Sequence, residues 1–231
     1  QYSASIGGPL IKDKLFFFAA ADWIHEDGNY TGAIGGNDDE DRTNRTTRWL
    51  TKIDWNINDS NILEFTGFGD NITNDSTIYA YDYGSGRGDY LGHQTLKNYN
   101  NTQTNGTPGG NVYIANYTGY LTDNLTLTAM YGKSKSDHSQ DIAASGGQSC
   151  PGITDNRTEF ANDPAHGCTV GSTSFLLPGS QDKTNGWNIV LEYRLGDHDI
   201  RAGVDNYVIR ATWGSTPVGG TGYTYWDVGD G

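Results

Sequence analysis

The chain is poor in apolar residues, in cysteine and in clustered positive charge. Hydrophobic side chains make up 35% of 231 residues, below the ordinary globular share. Such poverty suits disorder, but disordered chains also lack aromatics, and here Phe, Trp and Tyr reach 12%. The ordered parts must therefore be aromatic and the remainder polar. No run of 18 or more apolar residues occurs, which excludes a transmembrane helix. It leaves a transmembrane barrel open, since a barrel strand needs only about 9–11 alternating residues. The formal charge is −13 and the 15 Lys and Arg residues are scattered, so nucleic acid is excluded as a partner. The residues from Gln1 onward have no basic-then-apolar leader, so an export signal is expected to have been removed or to lie elsewhere.

The two cysteines, Cys150 and Cys168, sit in one Gly/Ser/Asn/Pro-rich stretch. Neither belongs to a C-x-x-C pair, and His166 alone supplies too few ligands for zinc. Two free thiols or one disulfide remain, and two cysteines within one loop favour the disulfide in an oxidising compartment. Catalytic signatures are also missing. There is no H-E-x-x-H, no nucleophile elbow and no P-loop, so no catalytic residue, cofactor or enzymatic activity is expected. "GSGRGD" at 84–89 has no strand-to-helix context for phosphate, and its Arg-Gly-Asp reads as a coincidence. The acidic run 37–41 offers Asp38, Asp39 and Asp41 as a weak Ca²⁺ candidate. It lacks the Gly and distal Glu of an EF-hand loop, and solvated loop charge is the expectation.

What the chain does have is alternation of period two. Trp49, Ile53 and Trp55 fall on one side of "TRWLTKIDWNIN", with Lys52 and Asp54 on the other. Leu125 and Leu127 oppose Thr126 and Thr128. Trp187, Ile189, Leu191 and Tyr193 oppose Asn188, Val190, Glu192 and Arg194. Eight strands are predicted, near 1–8, 14–25, 46–57, 61–71, 111–121, 125–137, 184–195 and 199–212, with a phase change near Asp205-Asn206 suggesting a bulge. Tight Asp-containing turns at 11–13, 58–60, 122–124 and 196–198 alternate with long loops at 26–45, 72–110, 138–183 and after 213. Outer-membrane barrels show this asymmetry systematically, with short periplasmic turns and long extracellular loops. Trp23, Trp49, Trp187 and Trp213 at loop-side strand ends, with Trp55 near a turn, fit two aromatic girdles. The expected fold is all-β, an antiparallel transmembrane barrel segment of about eight strands. Its lipid-facing set is Trp49, Ile53, Trp55, Leu125, Leu127, Trp187, Ile189, Leu191 and Tyr193. Its lumen-facing set is Lys52, Asp54, Glu64, Glu192, Arg194, Arg201 and Asp205.

"SASIGGPLIKDKLFFFAAADW" (residues 3–23) resembles the start of the barrel in Oar-like TonB-dependent receptors, with their Gly-Gly-Pro, Lys-Asp-Lys turn and Phe-Phe-Phe strand. "TKIDWNINDSNILEFTGF" and "YRLGDHDIRAGVDNYVIRATW" are similar to barrel segments of the same group. The resemblance implies a plugged barrel of about 22 strands, a bacterial outer-membrane location and import or translocation of an extracellular ligand. It also implies contact with lipid, a plug domain and an inner-membrane TonB complex. Residues 1–231 are then expected to be one partial barrel domain, with the plug and the remaining strands absent. Two other expectations stand beside it: a free-standing eight-stranded outer-membrane anchor or adhesin, and a secreted β-sandwich that binds carbohydrate.

Overall fold

Period-two alternation becomes strand wherever it is sustained. The computed structural model describes residues 1–32, 38–98, 109–144, 152–155, 174–217 and 222–226. The turn end of the sheet is set by short-range chemistry. Strand β1 (Tyr2–Ile11) meets β2 (Leu15–Thr31) through Asp13 in the left-handed region at φ 61°, and Lys14 N donates to Ile11 O. Between β3 (Asp38–Asn58) and β4 (Asn61–Asp82), Asn58 Oδ1 accepts from Ser60 N and Asn61 Nδ2. Strands β5 (Gly86–Lys97) and β6 (Gly110–Thr122) come next. A two-residue turn then leads to β7 (Leu125–Asp137), followed by β8 (Ser139–Ala144), β9 (Gly152–Asp155) and β10 (Ser174–Leu176). The fourth tight turn, with Gly196 at φ 61°, joins β11 (Gln181–Leu195) to β12 (His198–Thr212). β13 (Ser215–Pro217) and β14 (Gly222–Tyr225) complete the order.

All eight predicted strands and all four tight turns are present. The main path is β1-β2-β3-β4-β6-β7-β11-β12 within one ten-stranded, wholly antiparallel sheet. The fold is all-β and barrel-like, and it is open, because no ladder joins β1 to β12 among the described residues.

The predicted long loops need correction. Most of 26–32, 38–45, 72–82 and 86–97 is strand. β2 and β3 stay paired from Leu15↔Trp55 up to Thr31↔Asp39, and β3 and β4 reach Asp38↔Ala80. β4 changes partner as it rises. Asn61–Asp70 pairs with β6, and Thr73–Asp82 pairs with β5. β5 in turn pairs with β8, while two-stranded sheets β10-β13 and β9-β14 lie outside the main sheet. The sheet thus has a lower tier of eight strands and a second tier at the end away from the tight turns, here called the crown. These segments have Asn, Thr and Asp on both faces, so their sequence lacks the alternation that marks a half-buried strand.

The phase change predicted near Asp205 is also absent. β11 and β12 pair without interruption from Gln181↔Thr212 to Leu195↔His198. Tyr207 and Ile209 therefore share a face with Arg201 and Asp205. Tyr207 Cβ lies 3.0 Å from where a Cβ on Gly186 would stand, so its ring base fills the space that the glycine leaves.

Candidate functional site

Cross-strand register assigns side chains to faces, because directly paired residues point the same way. One rung runs Phe16, Asp54, Glu64, Asn116, Met130, Asn188, Asp205 across seven strands. Lys52, one rung higher, reaches both Asp54 Oδ1 (2.9 Å) and Glu64 Oε1 (3.0 Å), and Asn116 Nδ2 donates to Glu64 Oε2 (3.0 Å). Toward the turns, Arg201 Nε meets Glu192 Oε1 at 3.1 Å, and Arg194 Nε meets Asp199 Oδ1 at 3.3 Å. All seven residues of the predicted lumen-facing set lie on this charged face. Above Lys52 comes an apolar rung, Ala20-Leu50-Phe68-Val112, and above that Arg48 bonds Asp70 at 3.3 Å. A hollow of about 360 Å³ sits over Gly132 and Gly186, edged by Ile114, Met130, Asp205 and Tyr207. The face thus offers fixed charge of both signs interleaved with apolar rungs.

The opposite face carries all nine residues of the predicted lipid-facing set. Ile53 and Trp187 share the rung Phe17-Ile53-Phe65-Ala115-Tyr131-Trp187, and Trp55 and Ile189 share Leu15-Trp55-Leu63-Tyr117-Ala129-Ile189. Leu127 faces Leu191, and Leu125 faces Tyr193. Trp49 heads this face on β3, where Nε1 donates to Asn111 Oδ1 (3.1 Å) and the ring lies 5.8 Å from that of Tyr113. Trp23 and Trp49 are interior to long strands rather than at strand ends, which corrects the predicted girdle geometry. Trp213 departs further. It donates to Asp182 Oδ1 (2.8 Å) and stacks on His138 at 4.6 Å, with Asp182 on the charged face.

In the crown, two stretches read separately in the sequence come together. Tyr83, Gly84 and Ser85 form the β4–β5 turn, capped by Asp82 Oδ1, which accepts from Gly84 N, Ser85 N and Ser85 Oγ. That turn places Arg87 against the acidic run. Its Nε donates to Asp39 Oδ2 (2.5 Å), and Nη1 and Nη2 grip Asp41 in a fork at 2.7 and 2.6 Å. The guanidinium also lies 4.4 Å above the Tyr79 ring. Asp39 is 3% exposed and accepts from Thr31 Oγ1 at 2.8 Å. The bonds from Arg87, then that from Asn29, hold the Asp41 carboxyl down at about 2, and the Thr31 bond does most to lower that of Asp39. The oxygens weighed for Ca²⁺ are thus directed at a guanidinium. The Asp38 side chain lies outside the described residues, as do Cys150 and Cys168.

Sequence reasoning missed one polar junction. β5 ends at Lys97, and Asn98, at φ 46° and 3% exposed, then closes the ladder: its N donates to Ile72 O and its Oδ1 accepts from Ile72 N. His138, also 3% exposed, contacts Asn98 O through Nδ1 and Asp182 Oδ2 through Nε2 (3.2 Å), and its backbone N donates to Ser180 O. Neither Asn98 nor His138 stands in a recognisable motif; the only signal was a lone His between two strands. Comparison with known protein families, curated proteins and solved structures finds no match for this chain.

Proposed function

We propose that this chain is part of the barrel of a TonB-dependent outer-membrane transporter of a Gram-negative bacterium. Its apolar face meets lipid. Its charged face lines a lumen shared with a plug domain. Its crown stands outside the cell, where an extracellular ligand is first held. One observation carries the membrane part of this reading. On the apolar face, Trp49–Ile57 on β3, Tyr113–Leu121 on β6 and Trp187–Leu195 on β11 carry no charged side chain, and each begins one rung nearer the tight turns than the one before, the stagger of a tilted sheet. Each covers about nine residues, the length a tilted strand needs to cross the hydrocarbon. Each also starts with an aromatic at the crown side, where an indole or phenol suits the headgroup boundary. Transport itself and the TonB partner rest on the resemblance of residues 3–23. The role is binding and passage rather than catalysis: the charged rungs would set the polarity along the path, and the apolar rung at Leu50 and Phe68 would pack against plug.

The test places the same charge on each face at neighbouring positions of β11. Leu191→Arg puts a guanidinium in mid-hydrocarbon at about 2–4 kcal/mol. Asn188→Arg puts one on the charged face, directly paired with Asp205. Assembly into bilayers, followed by protease protection and heat modifiability, should fail for the first variant and survive for the second. Equal tolerance of both would overturn the membrane assignment.

A further inference from the structure

Four of the 15 basic residues in this acidic chain stand together on the apolar face, on the two rungs above its aromatic rung. Lys133 and Lys135 come from β7, Lys183 from β11 and Arg210 from β12. The register makes Lys135 the direct cross-strand neighbour of Lys183, and Lys183 that of Arg210. Like charges directly opposite one another destabilise a sheet. Only Lys135 has a counter-charge, Asp137 Oδ2 at 2.6 Å; the other three make no ion pair among the described residues. Three uncompensated cations on two adjacent rungs, in a chain of net charge −13, call for an anion from outside.

Beside them the apolar face is hollowed. A depression of about 440 Å³ opens over Gly67, walled by Trp49, Phe65, Tyr113 and Tyr131, with Lys133 at its rim. The Trp49 ring rests against the glycine: a Cβ there would stand 3.0 Å from its Cη2. The bond to Asn111 holds the indole in place. The hollow is almost wholly apolar and runs up into the basic group, the shape of a site for a molecule with one greasy and one anionic end.

We infer that this surface binds a membrane lipid whose headgroup carries more than one phosphate. The phosphates would lie across Lys135, Lys183, Arg210 and Lys133, and an acyl chain would lie in the hollow over Gly67. Arg210 suits forked contacts to phosphate oxygens, and the lysines act as point charges. The position fits a leaflet on the crown side, at the level where the aromatic rung ends. The inference rests on the membrane reading above, and it adds a specific lipid to it.

The experiment reconstitutes the full chain into phosphatidylcholine vesicles containing a bisphosphorylated glycolipid, and native mass spectrometry measures the lipid retained after detergent extraction. Resistance of the protein to alkaline carbonate is scored first. The wild type should retain the bisphosphorylated form at least about tenfold better than its enzymatically dephosphorylated form, the loss expected for one or two charge-assisted hydrogen bonds. Lys183→Gln combined with Arg210→Gln should abolish that preference while leaving carbonate resistance unchanged. Equal retention of the two lipids by the wild type, which needs no variant, would overturn the site while leaving the membrane reading standing. So would undiminished selectivity in the double variant. Displacement of the lipid by equimolar inorganic phosphate would overturn the lipid as occupant. Failure to resist carbonate would overturn the membrane reading and this site with it.

Discussion

The guanidinium of Arg87 joins Asp39 and Asp41 across 48 and 46 residues of chain, tying the β2–β3 hairpin to the β4–β5 hairpin. The Asp41 carboxyl is lowered from 3.8 to about 2, so its contribution is complete above 3.8 and is lost as pH falls through about 2. A carbon-13 titration of Asp41 should show a midpoint near that lower value, and Arg87→Gln should return it toward 3.8. An unmoved midpoint would mean that the fork is not formed in solution. Glycines offer a contrast of another kind. A Cβ on Gly69 would stand 2.5 Å from Trp49 Nε1 and collide with Asn111 Oδ1, so Gly69→Ala forces the indole out of place at about 1–3 kcal/mol. A Cβ on Gly132 would meet nothing within 4 Å, so Gly132→Ala should be neutral or mildly stabilising. Thermal unfolding of the two variants side by side checks both expectations.

A strand announces itself in sequence when its two faces see different surroundings. β11 alternates clearly from Trp187 to Leu195, and its uninterrupted register with β7 and β12 keeps its charged and apolar positions on opposite faces. From Asp39 to Thr47, β3 is polar on both sides, and nothing in that string separates a ladder from a loop. The same applies to Thr73–Asp82 and to most of β5. Partner choice was equally illegible. Nothing in "GSGRGD" indicates Arg87 reaching back to the acidic run, because that contact depends on how far β4 rises before it turns. Nor does the sequence show that Trp213 leaves the aromatic rung to cover His138. That histidine joins several elements, touching Asn98 O, Asp182 and the Trp213 ring. His138→Phe keeps a ring against Trp213 but removes the side-chain partner of the buried Asn98 carbonyl, at about 1–3 kcal/mol. Limited proteolysis should then cut first around residues 98 and 138, while the turns at 59–60 and 123–124 remain protected. Uniform protection would mean that the junction is held by packing alone.

β3 and β4, with 21 and 22 residues, are each about 70 Å long at strand rise, against roughly 30 Å of hydrocarbon. About half of either strand would suffice to cross a bilayer on the proposed reading, which would leave the upper tier for a different purpose. Replacing residues 26–45 with a two-residue Asn-Gly turn should remove the Arg87 partners and leave assembly of the lower sheet intact, as judged by circular dichroism and protease protection. Collapse of the whole sheet would show that the tiers are one cooperative unit. The junction at Asn98 has a consequence of its own. A Cβ on Gly109 would overlap the Asn98 side chain, and β5 and β6 run the same way along β4, one above the other. The chain therefore leaves this column of the sheet and re-enters it through a single doorway. Because Asn98 and Gly109 abut, the end of β5 and the start of β6 are each registered on β4 and locked against each other.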